Sequence, residues 1–348
     1  MKELWNKLAS RVEAEWSRIK VRSAEQRRHE QEVNQVIEGI LDQVNPRLRA
    51  VNGYRKKLFP VVERAMAYAR ELTERVPGPV LVNRQTWSKE PMINALFGSL
   101  DRMRWVLTSP AVRRYRKAHP VGGDFYALFA AMPEVRNQLG VELVGETIHK
   151  DVRQTVVSFA NQEVDLVGES EEDVRRALPA EAMDLLVSLA IQDILEQESR
   201  LSEVEERLRI VRLKLRVAKT KSRGIGLLLD DNPDQPKETD ELQARVTELE
   251  KDLEREKRGL QGLGDYLDRL VEVLGHPEAH FGLEPVRVRL DRMNVVREDD
   301  DAGAGNEIEF TRGRRGQKLA RVIALIRFPR SELMEDGERL REIERYLG

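Results

Sequence analysis

One stretch of the sequence places a lysine in a setting typical of phosphate binding: residues 87–99 have the sequence WSKEPMINALFGS. A phosphate loop follows the pattern G-x-x-x-x-G-K-[ST], because its glycines let backbone N–H groups close around the phosphates and its hydroxyl holds magnesium. Lys89 stands at the lysine position of this pattern. However, Asn83 and Ser88 stand at the glycine positions, and Glu90 replaces the hydroxyl with a carboxylate that repels phosphate.

The second half of the stretch resembles the helix that follows the phosphate loop of dynamin-like and other large GTPases. The resemblance would imply a nucleotide site at Lys89, but it covers only this short stretch, and Pro91 removes a further backbone donor. Proline is well suited to the first position of a helix. The sequence therefore predicts a capped helix from Pro91, which packs Ile93, Leu96 and Phe97 inward.

Two histidines four residues apart, His276 and His280, could share one face of a helix and bind a metal ion. The pair lacks the adjacent glutamate of H-E-x-x-H, and proline lies within the turn. Glu278 and Glu284 are the only nearby candidates for a third ligand. We predict a loop that caps a helix here, with no metal and no cofactor.

Composition narrows the possible chemistry further. The 348 residues include no cysteine, which excludes disulfides, thiolate nucleophiles and cysteine metal sites. Charged residues make up 34% of the chain, yet the net charge is −2, so any preference for nucleic acid or anionic lipid depends on local patches. The sequence shows no apolar leader and no apolar run of ~18 residues, and we expect a cytoplasmic protein.

Catalytic residues cannot be assigned. The chain has 61 acids but neither a G-x-S-x-G elbow nor a recognisable histidine–carboxylate pair. An enzyme with an unrecognised carboxylate site stays open as the third and least favoured hypothesis.

Apolar periodicity predicts a mainly helical amino-terminal region with a β-containing region behind it. Predicted helices cover residues 1–44 and 47–76, a stretch from Pro91 to Leu107, and short segments at 110–118 and 124–131. Residues 138–167 are rich in β-branched side chains and predict two or three short antiparallel strands.

Two apolar series with spacings of three and four residues predict the seam of a coiled coil. The first series is Val187, Ala190, Ile194, Gln197, Leu201, Val204, Leu208, Val211, Leu215 and Ala218. The second series is Leu242, Val246, Leu249, Leu253, Glu256, Leu260, Leu263, Leu267, Leu270 and Leu274. A turn rich in glycine and proline separates them.

The charges of the two legs indicate how they pair. Residues 207–221 carry seven bases and no acid, whereas residues 238–254 carry seven acids and two bases. Parallel pairing with a second copy would bring like charges together, whereas folding back brings opposite charges together. We therefore predict an antiparallel hairpin within the chain, with arms that project roughly 45 Å.

The carboxy-terminal region alternates apolar and charged residues in PVRVRL and in two later segments, which predicts an antiparallel meander. Residues 298–301 and 312–316 are its predicted loops, and a short helix from Ser331 ends the chain. The predicted fold class is α+β, mainly α, with a coiled-coil hairpin and a small antiparallel β-subdomain. The predicted regions are a helical domain (1–134), a β-containing segment (135–179), the hairpin (180–275) and the meander with its helix (276–348).

The leading functional hypothesis is a non-catalytic scaffold that presents the hairpin to a protein partner. Three consecutive leucines in the turn motivate it, because apolar side chains at an exposed tip favour contact with another molecule. These leucines are Leu227, Leu228 and Leu229.

The alternative hypothesis is a nucleic-acid-associated protein that uses a basic β-hairpin at residues 311–330. This segment has seven bases and no acid, and Phe310 and Phe328 could stack on nucleic-acid bases. Its leading candidates are Arg312, Arg314, Arg315 and Lys318. The competing interpretation is that the strand arginines cover one face of the sheet and meet the acidic loop at 298–301 or the acidic coiled-coil arm, with Phe328 in the core.

A further hypothesis is that residues 1–20 form a helix that contacts a membrane surface. This stretch has an apolar stripe with two tryptophans and several bases. A helix that docks on residues 33–44 explains the stripe equally well, so the membrane hypothesis is the less favoured one.

Overall fold

The computed structural model describes residues 25–144, 147–221, 235–257, 262–297, 305–316, 318–335 and 338. The chain is a mixture of helices and strands that forms two compact units, each made from two segments. The first unit contains residues 1–65 and 185–276, and the second contains residues 66–184 and 277–348. The division into four consecutive regions stays a prediction.

Helices account for most of the described secondary structure. The α-helices are α1 (25–44), α2 (Tyr54–Glu74), α3 (Arg84–Lys89), α4 (Pro91–Phe97), α5 (Leu100–Leu107), α6 (Pro110–Ala118), α7 (Glu171–Lys221), α8 (Gln235–Lys257), α9 (Leu263–Gly275) and α10 (Pro277–His280). Short 3-10 helices lie at Pro46–Ala50 and Arg330–Glu332. No helix within the described ranges is both long and apolar enough to cross a membrane.

The strands belong to one sheet of the second unit. They are β1 (Val80–Leu81), β2 (Phe125–Val144), β3 (Thr147–Gly168), β4 (Phe281–Leu290), β5 (Asn306–Arg315) and β6 (Lys318–Phe328). Their order is β3-β2-β6-β5-β4 with antiparallel neighbours, and β1 adds to β6 in parallel.

The predicted helix at residues 124–131 is wrong, because this segment begins strand β2, which lies between β3 and β6. Phe125 and Phe129 face a core formed with α4, α5 and α6, whereas Tyr126 and Leu128 pack against the opposite core with Val174. A strand covered on both faces is apolar at successive positions, so it shows no period-two alternation. Its alanine, leucine and methionine also favour helices, which explains the wrong prediction.

Two other β predictions need correction. Residues 138–144 and 147–167 form parts of two long strands, β2 and β3, where the sequence predicts two or three short strands. The predicted loop at 312–316 is mostly strand, since β5 continues to Arg315 and pairs on both sides.

The sheet curls so that its two edge strands are linked. After β4, Asn294 accepts a hydrogen bond from the Val157 N–H of β3, and Val296 donates one to Thr155. Phe159 of β3 packs against Phe310 of β5 with ring centroids 5.1 Å apart. The short segment after β4 therefore joins the far ends of the sheet around the apolar core.

Two helical predictions also need correction. The predicted helix from Pro91 to Leu107 is two helices, because Gly98 adopts a φ of 66° and Ser99 caps α5 by accepting from the Arg102 N–H. Likewise, α8 and α9 are distinct, since Gly262 is fully extended before α9. The later leucine series therefore spans two helices.

In the first unit, α9 is fixed against its neighbours. Leu267, Leu270 and Leu274 of α9 are buried. The Lys57 ammonium lies 2.6 Å from the Asp268 carboxylate, and Arg269 donates to Asp193 of α7. These contacts hold α9 against α2 and α7.

Candidate functional site

The far part of α7 has two apolar sides, of which one is covered and one is exposed. On the exposed side, Ile210, Leu213 and Val217 have relative exposures of 43%, 49% and 57%. These three residues are called the outer stripe below. Their spacing of three and four residues places them on one face of the helix.

The opposite side of α7 packs against α8. Leu208 and Leu215 of α7 form a buried cluster with Val246 and Leu249 of α8. Val211, Leu242 and Leu253 are partly buried around this cluster. All seven residues belong to the two predicted series. Because successive helical residues are rotated by about 100°, the outer stripe lies on nearly the opposite side of α7.

Polar contacts set the register of the two helices. Lys257 lies 3.1 Å from Glu205, Arg212 lies 2.6 Å from Glu250, and Lys219 donates to Gln243 at 3.1 Å. Each step of seven residues forward in α7 matches seven residues backward in α8. The helices therefore run antiparallel with a constant register, which holds the outer stripe away from α8.

Bases flank the outer stripe on both sides. Arg209 and Arg216 lie on one side, and Arg207 and Lys214 lie on the other. Arg209 is 2.8 Å from Glu206, and this hydrogen bond raises the pKa of Arg209 and lowers the pKa of Glu206. Lys214 and Arg216 are exposed and make no ion pair with a described residue. Arg207 is likewise paired, with Glu203 at 2.5 Å, so Lys214 and Arg216 supply the positive charge of the flanks that no described acid offsets.

A groove of about 360 Å³ runs from Leu213 of the outer stripe towards the side of α7 that packs against α8. Leu208, Leu213 and Leu253 contribute its apolar surface. Four of its lining residues are bases and one is an acid. The groove and the stripe together form an apolar surface with a positive rim.

The outer stripe was not recognised from the sequence, although a signal for it is present. In α7 the apolar residues of this region exceed the number that one seam needs, and the surplus falls at 210, 213 and 217. In α8, by contrast, the described large apolar residues all belong to the buried cluster. A second apolar series on one leg therefore distinguishes the two helices.

The predicted tip residues Leu227, Leu228 and Leu229 lie outside the described residues. Their role in partner binding stays a prediction. The same holds for the apolar stripe of residues 1–20.

The predicted basic strand residues lie in β5 and β6, and most described side chains there have partners within the second unit. Arg314 lies 3.0 Å from Glu284 and donates to the Glu278 carbonyl at 2.7 Å. Arg312 is half-buried, and Arg315 is exposed at the end of β5. Lys318 begins β6, where its backbone lies opposite that of Arg315.

The remaining described bases of this segment also form ion pairs or hydrogen bonds. Arg321 forms an ion pair with Glu163, Arg327 lies 2.6 Å from Asp124, and Arg330 donates to the His119 carbonyl at 2.7 Å. Phe310 and Phe328 are buried in the core, so the expectation that they stack on nucleic-acid bases is wrong. The acids that these arginines meet are Glu284, Glu163 and Asp124, and none of them lies in the 298–301 loop or in α8. Residues 298–301 lie outside the described residues, so their predicted role stays a prediction. The expected placement of Phe328 in the core is confirmed.

The segment around Lys89 does not form a phosphate loop. Asn83 caps α3, because its side chain accepts from the Thr86 N–H at 2.8 Å. Helix α3 occupies the place where a loop would surround a phosphate, and α4 starts at Pro91. Ile93, Leu96 and Phe97 are buried, which confirms the expected packing of this helix.

His276 directly follows α9, and His280 is the last residue of α10, so the segment that was predicted as a capping loop is a short helix. Among the described residues, no group of three or more histidines and acids is arranged to hold a metal ion.

A second cleft, of about 310 Å³, lies between α5, α6 and β3. Its β3 wall is fixed to neighbouring elements: Gln162 accepts from Arg102 at 2.5 Å and donates to the Leu96 carbonyl at 2.7 Å. Glu163 in the same wall is paired with Arg321. These contacts attach the helices to the sheet.

Three glutamates among the described residues have a lowered pKa. Arginine partners hold the pKa values of Glu38, Glu163 and Glu206 below the ordinary value for glutamate. A general acid at neutral pH needs a raised pKa. The hypothesis of an unrecognised carboxylate enzyme therefore gains no support from these three groups.

No protein-family model, no curated protein and no solved structure matches the chain.

Proposed function

We propose that the protein is a non-catalytic interaction or scaffold protein that presents an antiparallel helical hairpin to a protein partner. The observation that carries the proposal is the outer stripe of α7. Three large aliphatic residues on one face stay exposed although a partner helix, α8, covers the other face. Contiguous exposed apolar surface with a polar rim is typical of a protein-binding surface.

The proposal includes a coiled coil formed by α7 and α8. The cluster of Leu208, Leu215, Val246 and Leu249 supports it, because these residues fall at the alternating three- and four-residue spacing of a seam. The cross-helix contacts at 205, 212 and 219 add support, since they recur every seven residues. On this proposal, the leucine seam stabilises the hairpin and the charges select the antiparallel orientation.

The tip of the hairpin belongs to the same proposal. The test is affinity capture from the native host, with and without nuclease, followed by mass spectrometry. The variant changes Leu227, Leu228 and Leu229 to serine, and Leu195→Ser is the matched control because Leu195 is an exposed leucine of α7. We expect wild-type and control proteins to retain the same partner after nuclease treatment, and the tip variant to lose it.

Unaltered capture by the tip variant would refute the role of the three leucines. Partners that disappear after nuclease treatment would instead favour the nucleic-acid hypothesis. That hypothesis also predicts retention on DNA or RNA at low salt that weakens steeply as salt rises.

A further inference from the structure

We infer that the outer stripe of α7, with its flanking bases, binds an acidic amphipathic helix of a different protein. The inference deepens the proposed function and rests on it, because it assigns the partner a chemistry and a docking surface. Its structural basis is the combination of Ile210, Leu213 and Val217 with the positive rim formed by Arg207, Arg209, Lys214 and Arg216.

The spacing of the stripe fits a helical partner. Residues at i, i+3 and i+7 form the contact row by which one helix packs against another. The row covers two turns of α7, about 10 Å along the axis. The groove beside Leu213 gives a side chain of the partner a place to insert between α7 and α8.

The rim selects the charge of the partner. A helix that packs along α7 brings its own flanking positions opposite Arg209 and Arg216 on one side and Arg207 and Lys214 on the other. Acids at these positions would pair with the bases, whereas lysines would repel them. Lys214 and Arg216 make no ion pair with a described residue, so they are available for new pairs.

Neither the outer stripe nor α8 of a second copy fits the surface. If two outer stripes packed together, each basic rim would face the other basic rim, which is unfavourable. The acidic helix α8 offers the right charge, but none of its described large apolar residues is exposed. The outer stripe and α8 of a second copy therefore each match either the apolar stripe or the charge, but not both.

Nucleic acid is also a poorer match. Phosphates would pair with the rim but would leave three aliphatic side chains uncovered. Single-stranded nucleic acid binds best where aromatic side chains stack on bases, and residues 201–221 contain no aromatic residue.

The test uses the full-length protein and fluorescently labelled synthetic helical peptides, with binding measured by anisotropy. The probe peptide has leucines at i, i+3 and i+7 flanked by glutamates. One control peptide has lysines in place of the glutamates, and another has serines in place of the leucines. We expect binding of the first peptide alone.

Variants of the protein locate the binding surface. Leu213→Ser with Val217→Ser should weaken binding of the acidic peptide at least about tenfold, as expected for central residues of an interface. Lys214→Glu with Arg216→Glu should weaken it and allow the lysine peptide to bind. Leu195→Ser should have no effect. All these positions are exposed, so we expect unchanged circular dichroism and unfolding midpoints.

Several outcomes would overturn the inference. These are equal binding of the acidic and lysine peptides, binding that is insensitive to the Leu213/Val217 variant, and competition by duplex DNA or anionic vesicles that exceeds competition by unlabelled peptide. A self-associated wild type that becomes monomeric in the Leu213/Val217 variant would assign the stripe to a second copy.

The same variants separate this inference from the proposed function. If the Leu213/Val217 variant captures the wild-type partner fully while the tip variant does not, the inference fails and the proposed function stands. If the wild type captures no protein after nuclease treatment, the proposed function itself fails.

Discussion

At the scale of single residues, the arginines around Glu38 on α1 hold the pKa of its carboxyl well below the ordinary value. Its carboxylate accepts hydrogen bonds from Arg49 at 2.8 Å, Arg55 at 2.8 Å and the Tyr54 hydroxyl at 3.0 Å. The Arg49 hydrogen bond is the largest cause that lowers the pKa of Glu38 to about 2. The network connects α1 to the start of α2.

The Glu38 network predicts a pH dependence of stability. Because the folded pKa lies below the unfolded value, the ionised carboxylate stabilises the fold above a pH of about 4.5, and this contribution is lost as the pH falls towards 2. Glu38→Gln should lower the free energy of unfolding by ~0.5–1 kcal/mol at pH 7, since the group is partly exposed. Urea unfolding at pH 7 and at pH 3 measures the difference.

The difference between wild type and Glu38→Gln should shrink at the lower pH. Glu30→Gln, at an exposed position of the same helix, is the control and should change little at either pH. A gap between wild type and Glu38→Gln that stays constant or widens on acidification would contradict the assignment.

For single residues, the sequence could predict the role of a side chain when its contacts lie within a few residues along the chain. Asn83, Ser99, Ser109 and Ser170 cap helices as their types suggest, because a cap depends on residues within one turn. The partners of Arg314, Arg321 and Arg327 could not be predicted. Each pairs with an acid on another strand or loop, so the pairing depends on strand order and register.

At the scale of elements, α7 and α8 allow a comparison between covered and exposed leucines. Leu249→Ala removes a side chain that is 4% exposed, and we expect a loss of about 2–3 kcal/mol in the stability of this helix pair. Leu213→Ala on the outer stripe should cost less than about 0.5 kcal/mol. Amide exchange of α8 and of residues 205–219 measures both changes.

Equal effects of the two substitutions would contradict the assignment of the two sides of α7. A large effect of Leu213→Ala would mean that the outer stripe is covered in solution, and would place it in the core of the protein.

The type of an element could be predicted where a single apolar periodicity dominates its sequence. It could not be predicted where both faces of the element are buried or apolar. The residues that α7 and α8 bury against each other could be predicted because only one face of α8 is apolar. Strand β2 could not, because α4–α6 cover one face and the start of α7 covers the other. The outer stripe was missed for a related reason. The longer apolar row of α7, which packs against α8, dominates the sequence pattern, and the shorter second row does not stand out beside it.

At the scale of the whole molecule, each compact unit has its own buried residues, which predicts separable responses to core mutations. Phe129 in the second unit is fully buried and packs against Phe97 at 5.2 Å between ring centroids. Phe129→Ala should cost about 3–5 kcal/mol. We expect faster amide exchange in β2, β3 and β6, with little change in α9 of the first unit.

Leu270→Ala is the reciprocal change, since Leu270 is buried in α9. It should increase exchange in α9 more than in β6. If either substitution accelerates exchange equally in both units, the molecule unfolds as one cooperative body.

The near-neutral total charge of the chain conceals a strong separation along its length. Residues 207–221 and 238–254 carry opposite charges, and the structure brings them side by side. The antiparallel direction could be predicted from this separation. The identity of a partner could not, because it depends on which bases remain exposed after the helices pair.

The seven-residue recurrence of contacts between α7 and α8 also has a consequence for how this region can change in length. Inserting seven residues in α7 and seven in α8 would keep every later contact in phase and would extend the pair by roughly 10 Å. Inserting one residue in α7 alone would rotate the segment beyond it by about 100° and would turn its leucines towards water. The length of the pair can therefore change in fixed increments while the orientation of its outer surface is preserved.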